Sequence, residues 1–174
     1  CCDVENFGIS EFKLLKKVTH HSVFYHKQTH FQIELHWQPC NLTNVMNFSN
    51  QFWHSALSKK ADSCQLLPDD ELLLYLCAHG SIHLWNRIKW LVDIELLLTQ
   101  NNWDWTRLLN KAFEYNCERS LALAVLLVHQ LFAVPLPQEI QHYLQTHPIV
   151  EVLAKKTIEL SFNGDYYSSK SPAV

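Results

Sequence analysis

Two places in this chain hold the residue types that most readily do chemistry: Glu34, and the stretch from His79 to Asp93. Glu34 lies in Phe31-Gln-Ile-Glu-Leu-His-Trp37, where Phe31, Ile33, Leu35 and Trp37 alternate with Gln32, Glu34 and His36. Strict period-two alternation predicts a half-buried strand with its apolar face on a core. A carboxylate held on a strand is a rigid oxygen ligand for a divalent metal. It is also the kind of charge that keeps an edge strand from aggregating. His36 projects from the same face as a neighbouring polar contact.

The second place reads His79-Gly-Ser-Ile-His83-Leu-Trp-Asn86-Arg87-Ile-Lys89-Trp90-Leu-Val-Asp93. As one continuous helix, steps of about 100° per residue align His79, His83, Asn86, Trp90 and Asp93 in a single stripe. That stripe suits the wall of an active-site cleft, a buried hydrogen-bonded network, or a solvated helix face. Spacing of His-x3-His suits two imidazoles on one metal. Gly80 follows His79, however, so the base of an HExxH metalloprotease is missing, and no Cys or third His lies at a supporting short spacing. Zinc is therefore disfavoured. Arg87 and Lys89 flank the stripe and suit either phosphate contacts or an ordinary solvated surface.

Other chemistries lack their residues. With three glycines, Gly8, Gly80 and Gly164, neither GxGxxG nor GxxxxGK[ST] can be written. No GxSxG elbow supports a serine hydrolase. Cys1, Cys2, Cys40, Cys64, Cys77 and Cys117 form no CxxC pair. They read as reduced, mostly buried thiols without a nucleophile signature. His20, His21, His26, His30 and His36 crowd the strand region, with His30 and His36 expected on one face and His20 and His21 opposite. They read as decoration of a hairpin rather than one metal site.

The elements that must position these groups follow from the pattern. Glu11 to Lys17 is ambiguous between helix and strand. Ser22 to Tyr25, a turn at Lys27 to Thr29, and Phe31 to Trp37 predict an antiparallel hairpin. Asn44 to Lys60 predicts a helix with Val45, Phe48, Phe52 and Leu57 inward, and no strand is expected from Asn44 onward. Pro68 with Asp69, Asp70 and Glu71 marks a helix start, running to about His79. Ile82 to Leu98 predicts a further helical stretch. Asp104 is the expected N-cap of Trp105 to Tyr115, with Trp103 and Trp105 packing that start onto the core. Glu118 to Phe132 predicts a central apolar helix. Pro137 and Pro148 start two more, to about Gln145 and Leu160. The fold class is α+β, a β-hairpin followed by a helical bundle.

Composition agrees with a buried core: 48% of residues are hydrophobic and 18% charged, against about 25% charged in typical chains. Disorder is excluded for most of the length. A net charge of −3 supplies no basic surface for general nucleic-acid binding. The longest apolar run, Leu121 to Val128, falls far short of the ~20 residues that span a bilayer. No membrane partner is expected, and the cysteine usage suggests a cytoplasmic protein.

Ile33-Glu34-Leu35-His36-Trp37, followed by Leu72-Leu-Leu-Tyr-Leu-Cys-Ala-His79-Gly-Ser-Ile-His83-Leu-Trp-Asn-Arg87-Ile-Lys89-Trp90-Leu-Val-Asp93-Ile, resembles the uncharacterised nucleotidyltransferase family of bacteria. That family shows an E-L-H-W strand and then L-x-x-H-G-x-x-H-x-W-x-R-L-K-W-L-x-D-I. Its later D-W and L-P motifs are matched by Asp104-Trp105 and Leu136-Pro137. The resemblance covers roughly residues 18 to 140, and its helical segment is the more specific part. It implies a nucleotidyltransferase fold, a mixed sheet followed by helices. The implied partners are a nucleoside triphosphate and an unknown acceptor hydroxyl, with Mg2+ as cofactor. Such enzymes carry a D-x-D strand and a third carboxylate on a later strand. By position Glu34 resembles that third carboxylate, catalytic and metal-binding. His36, His79, His83, Arg87, Lys89 and Asp93 are the expected substrate or nucleotide contacts.

One part of the pattern differs. The glycine-serine turn and D-x-D strand lie upstream in the family, and nothing upstream of Glu34 matches them. Asp3 and Glu5 have acidic spacing but no preceding turn and strand. The expectation is therefore a catalytically incomplete C-terminal part. Residues 1–40 would be the last strands of the sheet, 41–162 a helical bundle and 163–174 a flexible tail. The alternatives are a noncatalytic helical binding module and, third, a metal hydrolase using His79 and His83.

Overall fold

The computed structural model of the protein describes residues 13–14, 19, 21–37, 46, 59–61 and 64–162. Two compact units divide the chain, Cys1–Thr43 and Asn44–Val174. In the first, strands β1 (His21–Tyr25) and β2 (Gln32–His36) pair antiparallel, with Val23 opposite Glu34 and His21 opposite His36. The connection closes on itself: His26 N–H donates to the Phe31 carbonyl at 2.8 Å, and His30 takes a left-handed φ of 56°. Trp37 Nε1 donates to the Thr19 carbonyl at 2.7 Å and staples the open end of the ribbon.

The expected apolar face of β2 is exposed rather than packed on a core. Phe31, Ile33 and Leu35 are 72%, 65% and 52% exposed, while Trp37 is half-buried. A two-stranded ribbon of five-residue strands has two faces and no second layer of its own, so alternation alone does not bury either one. Lys13 and Leu14 are helical. The rest of the ambiguous Glu11 to Lys17 run lies outside the described residues, as does the 163–174 tail.

In the second unit, residues 44–58 of the expected Asn44 to Lys60 helix lie outside the described residues apart from Met46, which is fully buried. Lys59 and Lys60 are not helical. They belong to β3 (Lys59–Ala61), which pairs antiparallel with β4 (Cys64–Leu66). Three-residue strands are too short to display alternation, which is why the sequence pattern missed them.

Six helices follow, giving the α+β class: α1 (Asp69–Ile82), α2 (Ile88–Gln100), α3 (Trp105–Glu114), α4 (Glu118–Phe132), α5 (Gln138–Thr146) and α6 (Ile149–Phe162). Every residue of α4 from Ser120 to Val128 is buried, and α4 packs against each of the other five helices. A stripe one residue wide cannot do this; an all-round apolar helix can. Asp104 caps α3 as expected, accepting from Arg107 N–H at 2.9 Å, and Trp103 Nε1 donates to the Leu97 carbonyl at 3.2 Å. None of the helices among the described residues is long and apolar enough to cross a membrane.

The start of α1 is tied to α3 by charge. Lys111 Nζ donates to Asp70 Oδ2 at 2.7 Å and pairs with the fully buried carboxylate of Glu71. Burial alone pushes the Asp70 pKa up. Its hydrogen bonds with Glu71 and Lys111, and then the ammonium charge, outweigh that and hold it at about 2. Burial likewise disfavours the Lys111 ammonium, but the two carboxylates reverse the effect and raise its pKa.

Helix α1 does not stop at Gly80. It continues to Ile82, and the chain then turns through Leu84 and Trp85, both left-handed at φ 53° and 54°. Trp85 folds back against α1 and is 1% exposed. A Cβ on Gly80 would overlap its six-membered ring. This turn separates α1 from α2, so the expected continuous helix from Ile82 breaks and resumes at Ile88.

Gly80→Ala is expected to lower the unfolding free energy by about 1–2 kcal/mol in urea titration. Overpacking costs about 1–3 kcal/mol, against a helix-propensity gain of about 1 kcal/mol. In a Trp85→Leu background the same change should be neutral or stabilising, which a double-mutant cycle measures.

Lys111→Met would leave Glu71 buried without its ammonium, at an expected cost of about 3–5 kcal/mol. The pH dependence has a definite sign. Asp70 is depressed from 3.8 to about 2 on folding, so its contribution is present above 3.8 and is lost as pH falls towards 2. Denaturant midpoints measured across that window should drop for the parent and drop less for Asp70→Asn.

Candidate functional site

Glu34 stands mid-strand on β2, with Gln32 and His36 two residues to either side on the same face. The Gln32 amide donates to Glu34 Oε1 at 2.9 Å, and His36 Nε2 lies 3.4 Å from Oε2. The His36 imidazole foremost, then the charge of His21 and the Gln32 amide, holds the Glu34 carboxyl below its ordinary pKa despite a small opposing effect of burial. The group is therefore an exposed, ionised acceptor with a fixed direction.

His21 belongs to this face. It sits directly across the ladder from His36, and the two rings stack at 5.0 Å with 18° between planes. Period along one strand says nothing about which residue lies opposite on the next; only the register decides that. Among the described residues no group of three or more His, Cys, Asp or Glu side chains converges to hold a metal ion. Glu34 offers the right kind of oxygen for Mg2+, but the described residues do not complete a metal site around it.

In the helical unit, the break after Ile82 changes the polar stripe. His83 becomes the C-cap of α1 and Arg87 the N-cap residue of α2. The turn nevertheless returns Trp90 to the histidines. Ring centroids are 4.6 Å apart for His79 and His83, 5.3 Å for His79 and Trp90, and 5.2 Å for His83 and Trp90. Tyr75, one turn before His79, joins at 5.7 Å, and the Arg87 guanidinium lies 6.0 Å from the Trp90 ring centre, within cation–π reach.

Asn86 and Asp93 do not join these rings. Asn86 is exposed in the turn, and Asp93 and Lys89 are exposed on α2. His83 and Asn86 instead line a groove of about 290 Å³ with Leu84, Leu153, Lys156 and Leu160. Tyr75 was missed in sequence although Tyr75, His79 and His83 share an i, i+4, i+8 spacing that would have found it.

Cys77 and Cys117 are not nucleophiles. Cys77 and Cys117 are free and buried; burial pushes Cys117 up to about 12 and Cys77 well above the usual range. Thiols with raised pKa values are inert.

No curated protein and no solved structure matches this chain. A family model described as "Uncharacterised nucleotidyltransferase" matches residues 9–133. That span is more than half of the chain and runs from ahead of the hairpin to the end of α4. The Glu34 strand, the histidine–tryptophan cluster and the Trp85 turn all fall inside it, and the chain belongs to the uncharacterised nucleotidyltransferase family.

Proposed function

We propose that this chain serves transfer of a nucleotidyl group from a nucleoside triphosphate to an acceptor hydroxyl, with Glu34 as one of the acids of the reaction. The observation that carries the reading is the Glu34 carboxylate itself, ionised and aimed by its strand within a family of nucleotidyltransferases. Such enzymes generally work with a divalent metal, and hard oxygen ligands with phosphates suit Mg2+. Glu34 would contribute one donor to that ion. Among the described residues no further carboxylate converges with Glu34 to complete a metal site.

Arg87, anchored at the start of α2 over Trp90, and Lys89 beside it are exposed cations suited to phosphate oxygens. His79, His83 and Trp90 present aromatic faces suited to a ring of the substrate. His36 holds Glu34, and Asp93 is an exposed acceptor suited to a hydroxyl.

Glu34→Gln in the full-length protein keeps size and geometry and removes the charge. Turnover is expected to fall about 10²–10³-fold, the scale for one preorganised electrostatic contact. The melting temperature should hold, since exposed substitutions stay within about ±0.5 kcal/mol. Unchanged turnover would return Glu34 to the role of protecting an edge strand. Arg87→Gln should raise KM for the triphosphate about tenfold, the equivalent of one lost charge-assisted hydrogen bond. An unaltered KM would remove Arg87 from triphosphate binding.

A further inference from the structure

Trp85 carries a second consequence. Its six-membered ring is seated on Gly80, so its opposite edge, which holds Nε1, faces away from α1's backbone. The side chain is 1% exposed, yet Nε1 has no hydrogen-bond acceptor, and the Oγ of neighbouring Ser81 is also buried without a partner. An unpaired buried donor costs about 1–3 kcal/mol, and such groups in native proteins call for an explanation.

Both residues line one cleft of about 310 Å³, near the lower limit for small-molecule sites. Its lining includes Glu118, Arg119 and Ser120 of the first turn of α4 and Thr157 of α6. The helix is fifteen residues long, and its N-cap residue, Cys117, provides no side-chain cap. Its first internal bond runs from Leu121 N–H to the Cys117 carbonyl, which leaves the N–H groups of residues 118–120 for a ligand. The charge of Arg119 offsets that of Glu118, so the helix dipole decides the preferred sign, and it favours an anion.

We propose that this cleft is a binding site for a small molecule bearing one oxyanion group, a phosphate or a carboxylate. The anion meets the α4 N-terminus and Arg119, while Trp85 Nε1–H and Ser81 Oγ–H supply donors from the floor. Thr157 lies beyond the residues shared with the family. None of these residues is among those assigned above to nucleotidyl transfer.

The test follows the indole N–H resonances of 15N-labelled protein, with Trp85 assigned among the six tryptophans by through-bond correlation. Inorganic phosphate, acetate, and chloride at matched ionic strength are titrated separately. The expected result is a saturable shift of the Trp85 Nε1–H signal with phosphate or acetate and none with chloride. Arg119→Gln should weaken it about tenfold, and Ser81→Ala should weaken it without moving other indoles. Tighter binding of phosphate identifies a phosphoryl ligand, and tighter binding of acetate a carboxylate. A Trp85 signal unmoved by both anions, or moved equally by chloride, overturns the proposal. So does an Arg119→Gln protein that titrates like the parent.

Discussion

Trp85 can pack against α1 at Gly80 only because residue 80 has no side chain, and much of the helical unit's geometry follows from that contact. The chain turns at Leu84 and Trp85 through two left-handed residues, a conformation that costs of order 1–3 kcal/mol each for non-glycine residues. Burial of a tryptophan offsets that cost. The turn then sets where α2 begins and hence where Trp90 stands. His79, His83 and Trp90 form a cluster because the turn returns the start of α2 to the last turn of α1.

The rest of the unit holds that turn in place. Helix α4 is apolar on all sides and contacts every other helix, so α1, α2 and α6 are positioned against a common core. The buried Glu71–Lys111 pair fixes the opposite end of α1 to α3. A buried ion pair is weak as a source of net stability. It is effective at specifying one arrangement, since any slip of α1 along α3 would leave a carboxylate without its ammonium in an apolar setting.

The hairpin follows a different logic. Its side chains are mostly exposed, and what it provides is direction: a fixed register that places Glu34 between Gln32 and His36, with His21 stacked on His36 from across the ladder. Polar neighbours, the His36 imidazole foremost, hold the exposed carboxyl below its ordinary pKa and so ionised. For a group that acts through negative charge, this is the more useful surrounding.

Period, proline, acid and cap signals in the sequence determined the helices from Asp69 to Phe162, the hairpin turn and the Asp104 cap, because these depend on neighbours within a turn or two. The family motifs, too, were legible as strings of residues. Tertiary structure decided what distant residues do to one another. It exposed the apolar face of β2, brought His21 across to His36, formed the short β3–β4 ladder, and broke the predicted stripe at Leu84–Trp85. Gly80 illustrates the difference. Glycine ends helices and also permits close packing, and residue type alone does not separate the two. Only the ring resting on Gly80 shows which property is used, and that contact depends on a fold that no local pattern encodes.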